Sequence, residues 1–200
     1  MNLDLAVLAR APVPGQCKTR LIPALGAEGA ADLHTRLVRH TLNQAMQLPS
    51  AQVTLWTAGD PQHLFFEQLN SDWPTLKRCP QPEGDLGQRM HQVFVSNNRP
   101  TLLMGSDCPL ITPELLEICA QSLSEKHAVF LPAEDGGYAL VGLNQPCPAI
   151  FQNLSWGTEQ VMQQTRAIMQ ELGVHWSEPQ VVWDVDRPED VQRLKRKPFF

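Results

Sequence analysis

Short apolar runs alternate along this chain with segments in which apolar residues recur every three or four positions. Leu3–Ala9, Gln52–Thr57, Leu102–Met104, Ala128–Leu131 and Tyr138–Leu143 are runs of the first kind and predict strands. Weaker runs at Thr75–Arg78 and Gln180–Val182 predict two more. In the second kind, Ala30, Leu33, Leu37, Thr41, Ala45 and Leu48 share one face of a helix that ends by Pro49. Asp60 and Pro61 predict the cap and first turn of a helix reaching Asn70. Asp85 and Gln88 have capping-box spacing, and Leu86, Met90, Val93 and Phe94 continue as a stripe. Thr112-Pro113-Glu114 opens a helix burying Leu115, Leu116, Cys119 and Leu123. A further stripe from Val161 to Leu172 predicts a helix over Thr158–Leu172, stopped by Gly173, and Pro188 to Lys195 predicts the last.

Strands alternating with helices predict a single α/β domain over residues 1–200, a three-layer α/β/α sandwich around a mostly parallel sheet. The Asp135-Gly136 pair favours a tight turn between the two strands that flank it, so the sheet is expected to be mixed.

Composition narrows the partners. The hydrophobic fraction is 42% and the formal charge is −5, which favours neither nucleic acid nor an anionic membrane surface. No apolar stretch is long enough for a membrane span. Asp4 interrupts the first apolar run, which argues for a strand rather than a signal peptide. Five cysteines without a CxxC pair predict reduced thiols and a cytoplasmic protein. The charge is also unevenly placed. Residues 10–20 hold Arg10, Lys18 and Arg20 and no acid, whereas residues 183–190 hold Asp184, Asp186, Glu189 and Asp190 against Arg187. A compact basic loop on an acidic protein points to a small anionic ligand.

Five segments carry candidate chemistry. Leu102–Met104 runs into Gly105-Ser106-Asp107, which places Asp107 just past a strand's carboxyl end, where open α/β sheets bind ligands. A carboxylate there suits Mg²⁺ or Mn²⁺. Arg10–Arg20 follows the first strand and contains Pro14 and Gly15, so Lys18 and Arg20 are placed to neutralise a diphosphate. Its single glycine before Lys18-Thr19 does not meet the spacing of a P-loop. Asp184-Val185-Asp186 on extended backbone directs both carboxylates to one side, with Asp186 the expected second metal ligand and Asp184 beside it. Glu134–Tyr138 supplies Asp135 for an acceptor hydroxyl, with Gly136 and Gly137 in substrate contact. Asp85–Arg89 offers a cap in Asp85 and a phosphate contact in Arg89. Trp156 is a candidate for stacking on a base or sugar ring. The basic tail at Arg193, Lys195, Arg196 and Lys197 is expected to complement a helix carboxyl end.

Taken together, Ala9–Leu21, Gly84–Met90, Gly105–Pro109, Pro132–Tyr138, Trp156–Thr158 and Asp184–Asp190 resemble the small bacterial GT-A-type glycosyltransferases. That conserved family was formerly a domain of unknown function, is associated with radical-SAM genes and arsenosugar biosynthesis, and lies within the nucleotide-diphospho-sugar transferase superfamily. The resemblance implies a GT-A-like fold, a nucleotide-sugar donor, a small-molecule acceptor and a divalent metal on Asp107 and Asp186. It also implies a nucleotidyltransferase as the alternative, of the phospholactate guanylyltransferase or molybdenum-cofactor type, acting on an NTP and releasing pyrophosphate. A non-catalytic nucleotide-sensing module is the reading from a different class. The Asp-x-Asp pair of larger glycosyltransferases is reduced here to Ser106-Asp107, so a second carboxylate has to come from the Asp184–Asp186 segment folding back. A chain of 200 residues leaves little room for an acceptor subdomain, which makes a homodimer an expectation.

Overall fold

The computed structural model describes residues 2–49, 51–97 and 99–196. Seven strands form one sheet in the order β3-β2-β1-β4-β6-β5-β7. They are β1 (Leu3–Arg10), β2 (Ala51–Ala58), β3 (Lys77–Pro80), β4 (Thr101–Met104), β5 (Ala128–Pro132), β6 (Tyr138–Leu143) and β7 (Trp176–Ser177). Only β6 runs antiparallel, against β4 on one side and β5 on the other. The sheet is therefore mostly parallel and mixed, as the alternation and the Asp135-Gly136 turn predict.

Successive side chains of a strand leave opposite faces, and β1 shows the result. Leu3, Leu5, Val7 and Ala9 join one core cluster, while Ala6 joins the other. The first face is covered by α1 (Ile22–Ala45), α2 (Leu64–Asp72) and α4 (Pro113–Glu125) through Val38, Leu42, Phe66, Leu69 and Leu116. The second is covered by α3 (Leu86–Ser96) and α5 (Val161–Glu171) through Val93, Phe94, Met162 and Met169. The last helix, α6 (Pro188–Leu194), packs on α1 through Val191 and Leu194, beside Trp183 and Val185.

Several boundaries differ from the sequence expectation, each for a local reason. Asp60 does not cap α2. Its carboxylate accepts from the Gln62 amide at 2.9 Å in a turn of its own, and the helix begins only after His63, whose Nδ1 accepts from Phe65 N at 3.2 Å. Thr158 likewise closes a turn with Ser155 O and Gln160 N, so α5 starts at Val161. Strand β3 is shifted to Lys77–Pro80 and tolerates Pro80 because it is the sheet edge. Gln180–Val182 is not a strand: Val182 makes a lone bridge to Ala133, and the added strand is Trp176–Ser177. Arg193 lies in the last turn of α6 and Lys195 at its C-cap, as the basic tail predicts; the Arg193 side chain also pairs with Glu134 at 2.7 and 3.0 Å and lies 4.3 Å from the Trp183 ring centre. Lys197 lies outside the described residues.

Candidate functional site

The carboxyl end of β4 is where three distant segments meet. Gly105 N still bonds to Ala139 O of β6 at 3.2 Å, after which the chain leaves the sheet and Ser106 and Asp107 cross its end. The Asp184–Asp186 segment folds back beside them: Val185 N donates to Asp107 O at 2.9 Å. Val185 is fully buried in the cluster around α6, so its two neighbours face the opposite way and both aspartates reach the cleft.

The basic loop closes the other side. It turns tightly, with Val13 N on Ala11 O at 2.8 Å and Gln16 N on Val13 O at 2.9 Å. Gly15 takes φ +78°, and nothing lies within 4 Å of where a Cβ would sit. It serves the turn and not a close contact. Lys18 also takes a left-handed backbone, φ +47°, unusual for a non-glycine residue. Its side chain, only 5% exposed, points inward to Asp107 Oδ2 at 3.0 Å and donates to Val185 O. Arg20 pairs with Asp186. Behind them His34 bonds through Nε2 to Arg10 O at 3.0 Å and sets Nδ1 3.9 Å from Asp107 Oδ1. Because a carbonyl only accepts, Nε2 carries the hydrogen and the neutral ring leaves Nδ1 bare. Among the described residues neither Nδ1 nor Asp107 Oδ1 has a hydrogen-bond partner.

Three adjoining cavities radiate from these groups. The first, about 410 Å³, lies over the ends of β1 and β2 and is lined by Arg10, Lys18, Arg20, Gln81, Arg89 and Ser106, among others. The second, about 240 Å³, is walled by Leu86, Met90, Tyr138, Trp156 and Val161. The third, about 470 Å³, opens between Asp135, Asp190 and Arg187. Asp107 borders the first two, Asp184 and Asp135 the last two, and Asp186 and Arg20 the first and third.

Not every expected residue reaches a cavity. Asp85 is occupied as the cap of α3, accepting from Gln88 N at 2.8 Å while Gln88 returns a bond to its amide; it lines none of these cavities. Pro14, Gly15 and Gly136 line none either, whereas Gly137 borders the second. Gly136 is structural. With φ +90°, a Cβ there would sit 2.1 Å from Glu159 O, and its carbonyl accepts from Met162 N at 2.8 Å. Trp156 borders the aromatic cavity rather than the basic one, packed against Gly87 and edge-on to Tyr138. Arg89 reaches Gln81 Oε1 at 3.1 Å.

Two residues of the basic cavity escaped the sequence reading. Gln81 follows β3 directly, and its amide holds Ala9 O and Trp56 O at 3.3 and 3.0 Å. The strand-end rule that finds Asp107 would also find it. His34 is a polar residue inside the apolar stripe of α1, itself a signal.

Electrostatics set the protonation states. Burial, then the neighbouring Asp135 carboxylate, pushes Asp184 up to about 6. The Cys108 thiol is pushed up to about 12 by burial, and burial raises Cys17 as well, so both stay protonated and neither is a nucleophile at neutral pH. Asp135 is held by an Asx turn, its Oδ1 accepting from Gly137 N at 2.9 Å. Among the described residues no three His, Cys, Asp or Glu side chains form a ready metal cage. The donor set instead suits a hard cation that takes one or two carboxylates and completes its shell from ligand oxygens and water.

Comparison with known proteins follows this geometry. The model of one family, described as uncharacterized protein conserved in bacteria (DUF2064), matches residues 41–158. A crystal structure from Desulfovibrio desulfuricans G20, provisionally described as a nucleotide-diphospho-sugar transferase, superposes with a TM-score of 0.88 at 29% identity, covering 98% of this chain and 87% of that one. A nucleotidyl transferase from Methanothermobacter gives 0.65 at 14% identity over 96% and 95% of the two chains. A CMP:2-keto-3-deoxy-manno-octonic acid synthetase complexed with CTP gives 0.62 at 11% over 98% and 97%. The last two show a shared fold. No curated protein matches the chain.

Proposed function

This chain belongs to the bacterial family DUF2064, and on that premise we propose that it is a transferase moving a sugar from a nucleotide-diphosphate sugar to a hydroxyl-bearing acceptor. The observation that carries the reading is the hydrogen bond from Val185 N to Asp107 O. It sets Asp184 and Asp186 beside Asp107 at the seam of a basic cavity and a carboxylate-rimmed one. The basic cavity takes the nucleotide end, with Arg89, Lys18 and Arg20 facing phosphate oxygens.

Lys18 and Arg20 are paired with Asp107 and Asp186. Those carboxylates are the ones assigned to Mg²⁺ or Mn²⁺, with Asp184 adjacent. The bare Asp107 Oδ1 and the crowded Asp184 and Asp135 fit a cation there. Bound Mg²⁺ or Mn²⁺ supplies Lewis-acid stabilisation of the leaving diphosphate, worth several kcal/mol. Asp107 and Asp186 would hold the cation, and Lys18 and Arg20, released from them, would be available to the phosphates. Asp135 orients the acceptor hydroxyl and takes its proton as the new oxygen–carbon bond forms. The bond from the sugar carbon to phosphate oxygen breaks, and its electron pair leaves with the nucleoside diphosphate.

A thermal-shift series of nucleotide sugars and nucleoside triphosphates, with and without Mn²⁺, tests the assignment. A nucleotide sugar at a hundred times its dissociation constant should stabilise by about 2.7 kcal/mol. Asp135→Asn should keep that shift and lose turnover about 10²- to 10⁴-fold. Pyrophosphate release from an NTP would replace this reading by nucleotidyl transfer. A donor shift without turnover under any condition would leave a sensor.

A further inference from the structure

We propose that the cavity walled by Trp156 and Tyr138 selects its occupant by charge: it admits a neutral or cationic hydroxylated ring and rejects a phosphorylated or carboxylated one. It rests on the reading above in taking this occupant as the acceptor; the charge selection itself does not need the nucleotide.

The lining combines two kinds of group. One is apolar and aromatic, from Leu86, Met90, Val161, Tyr138 and the half-buried Trp156. The other is the carboxylates of Asp107, Asp135 and Asp184, and among the described residues no lysine, arginine or histidine lines the cavity. Mixed lining of this kind suits a sugar-like ring, whose C–H face lies on an aromatic wall while hydroxyl or ammonium hydrogens reach carboxylates.

The sign of the field follows from what the nearby cations are doing. Lys18 is spent on Asp107 and Val185 O, and Arg20 on Asp186. Among the described residues neither Asp135 nor Asp184 has an ion-pair partner. Asp184 is partly buried beside Asp135, so like charges already crowd one another in a region of reduced dielectric. An anionic ring entering the aromatic cavity would meet these carboxylates directly, while Lys18 and Arg20, which act on them from outside its lining, stay paired with Asp107 and Asp186. This disfavours a phosphate group as the nucleophile and favours a hydroxyl.

Three rings of one size separate the possibilities: glucosamine, glucose and glucose 6-phosphate, titrated into the full chain without nucleotide. Binding is read from the Trp156 indole signal, identified by Trp156→Phe, which keeps a ring against Gly87. Glucosamine and glucose should move that signal, and glucose 6-phosphate should bind at least about tenfold more weakly than glucosamine. Asp184→Asn should narrow that ratio at least about threefold. Thr158→Lys, at an exposed rim position bordering the cavity, should narrow it independently. Equal or tighter binding of glucose 6-phosphate to the unmodified chain overturns the proposal, as does a ratio that neither variant moves. A Trp156 signal untouched by all three rings overturns it too. A nucleotide-sugar thermal shift would survive any of these results, so failure here is distinct from failure of the donor assignment.

Discussion

Two of the loops that bring side chains to the cleft are held in different ways. The hairpin at Ala133–Gly137 is fixed by short-range bonds: Asp135 to Gly137 N, Gly136 N to Ala133 O and Ala133 N to Gly137 O. It is then locked onto α5 through Gly136. The basic loop has turn bonds of its own, but its cations are held by groups 89, 166 and 167 residues away: Lys18 by an ion pair with Asp107 and a hydrogen bond to Val185 O, and Arg20 by an ion pair with Asp186. Hydrogen bonds within a turn persist whatever binds nearby. Ion pairs can be exchanged for a metal and a phosphate of the same charges. On the proposed function, one loop would keep the Asp135 carboxylate still and the other would trade partners when a ligand arrives.

That contrast can be broken experimentally, beginning with the hairpin. Gly136→Ala introduces a Cβ at 2.1 Å from Glu159 O on a backbone with φ +90°. It should cost about 3 kcal/mol and lower the melting temperature by about 6–12 °C. A normal melt would show that the hairpin yields. Lys18→Met tests the basic loop. Losing the charged hydrogen bonds of a buried lysine should cost about 2 kcal/mol, discounted for the half-exposed Asp107. The same change should weaken donor binding about tenfold, a coupled loss that the hairpin variant should not reproduce at equal stability.

Asp184 sharpens the comparison through pH. Its folded value of about 6 lies above the unfolded 3.8, so the folded state binds more protons between those values. The contribution is fully present below about pH 4 and is lost as pH rises through 6. Asp184→Asn should therefore stabilise the protein at pH 8, by about 1 kcal/mol after allowing for solvent screening, with the gain fading toward pH 4. Denaturant melts at the two pH values read the sign directly. The smallest effect is expected from Glu134→Gln. Glu134 and Arg193 are both about half exposed, so the loss should stay below about 0.5 kcal/mol.

Much of this site was legible because it obeys two short-range rules. A carboxylate just past an apolar strand predicts Asp107 at the sheet's ligand end, and alternation around Val185 predicts two aspartates on one side. The capping box at Asp85 was equally plain, and its completeness explains why Asp85 does not reach the cleft. What escaped depends on register between distant segments. The contact of Gly136 with Glu159 requires α5 to dock on the hairpin. Trp176–Ser177 is too short to carry a period, and Gln180–Val182 has strand-like residues but only one bridge to make. Asp60 and Thr158 misled for a shared reason: a short polar side chain that looks like a helix cap had a nearer backbone partner in a turn.

The clip between the basic loop and residues 184–186 also bears on how the molecule is made. A chain synthesised from its amino end can lay down β1 to β6 and bury most of both core faces before that segment emerges. Lys18 and Asp107 can meet early, but Arg20 has no Asp186, and Asp107 no Val185, until nearly the whole chain has been made. Closing loops of this span is slow relative to the local contacts that precede it. The scaffold should therefore mature before the site, and a nascent chain halted before Trp183 would be largely folded but unable to hold its ligand.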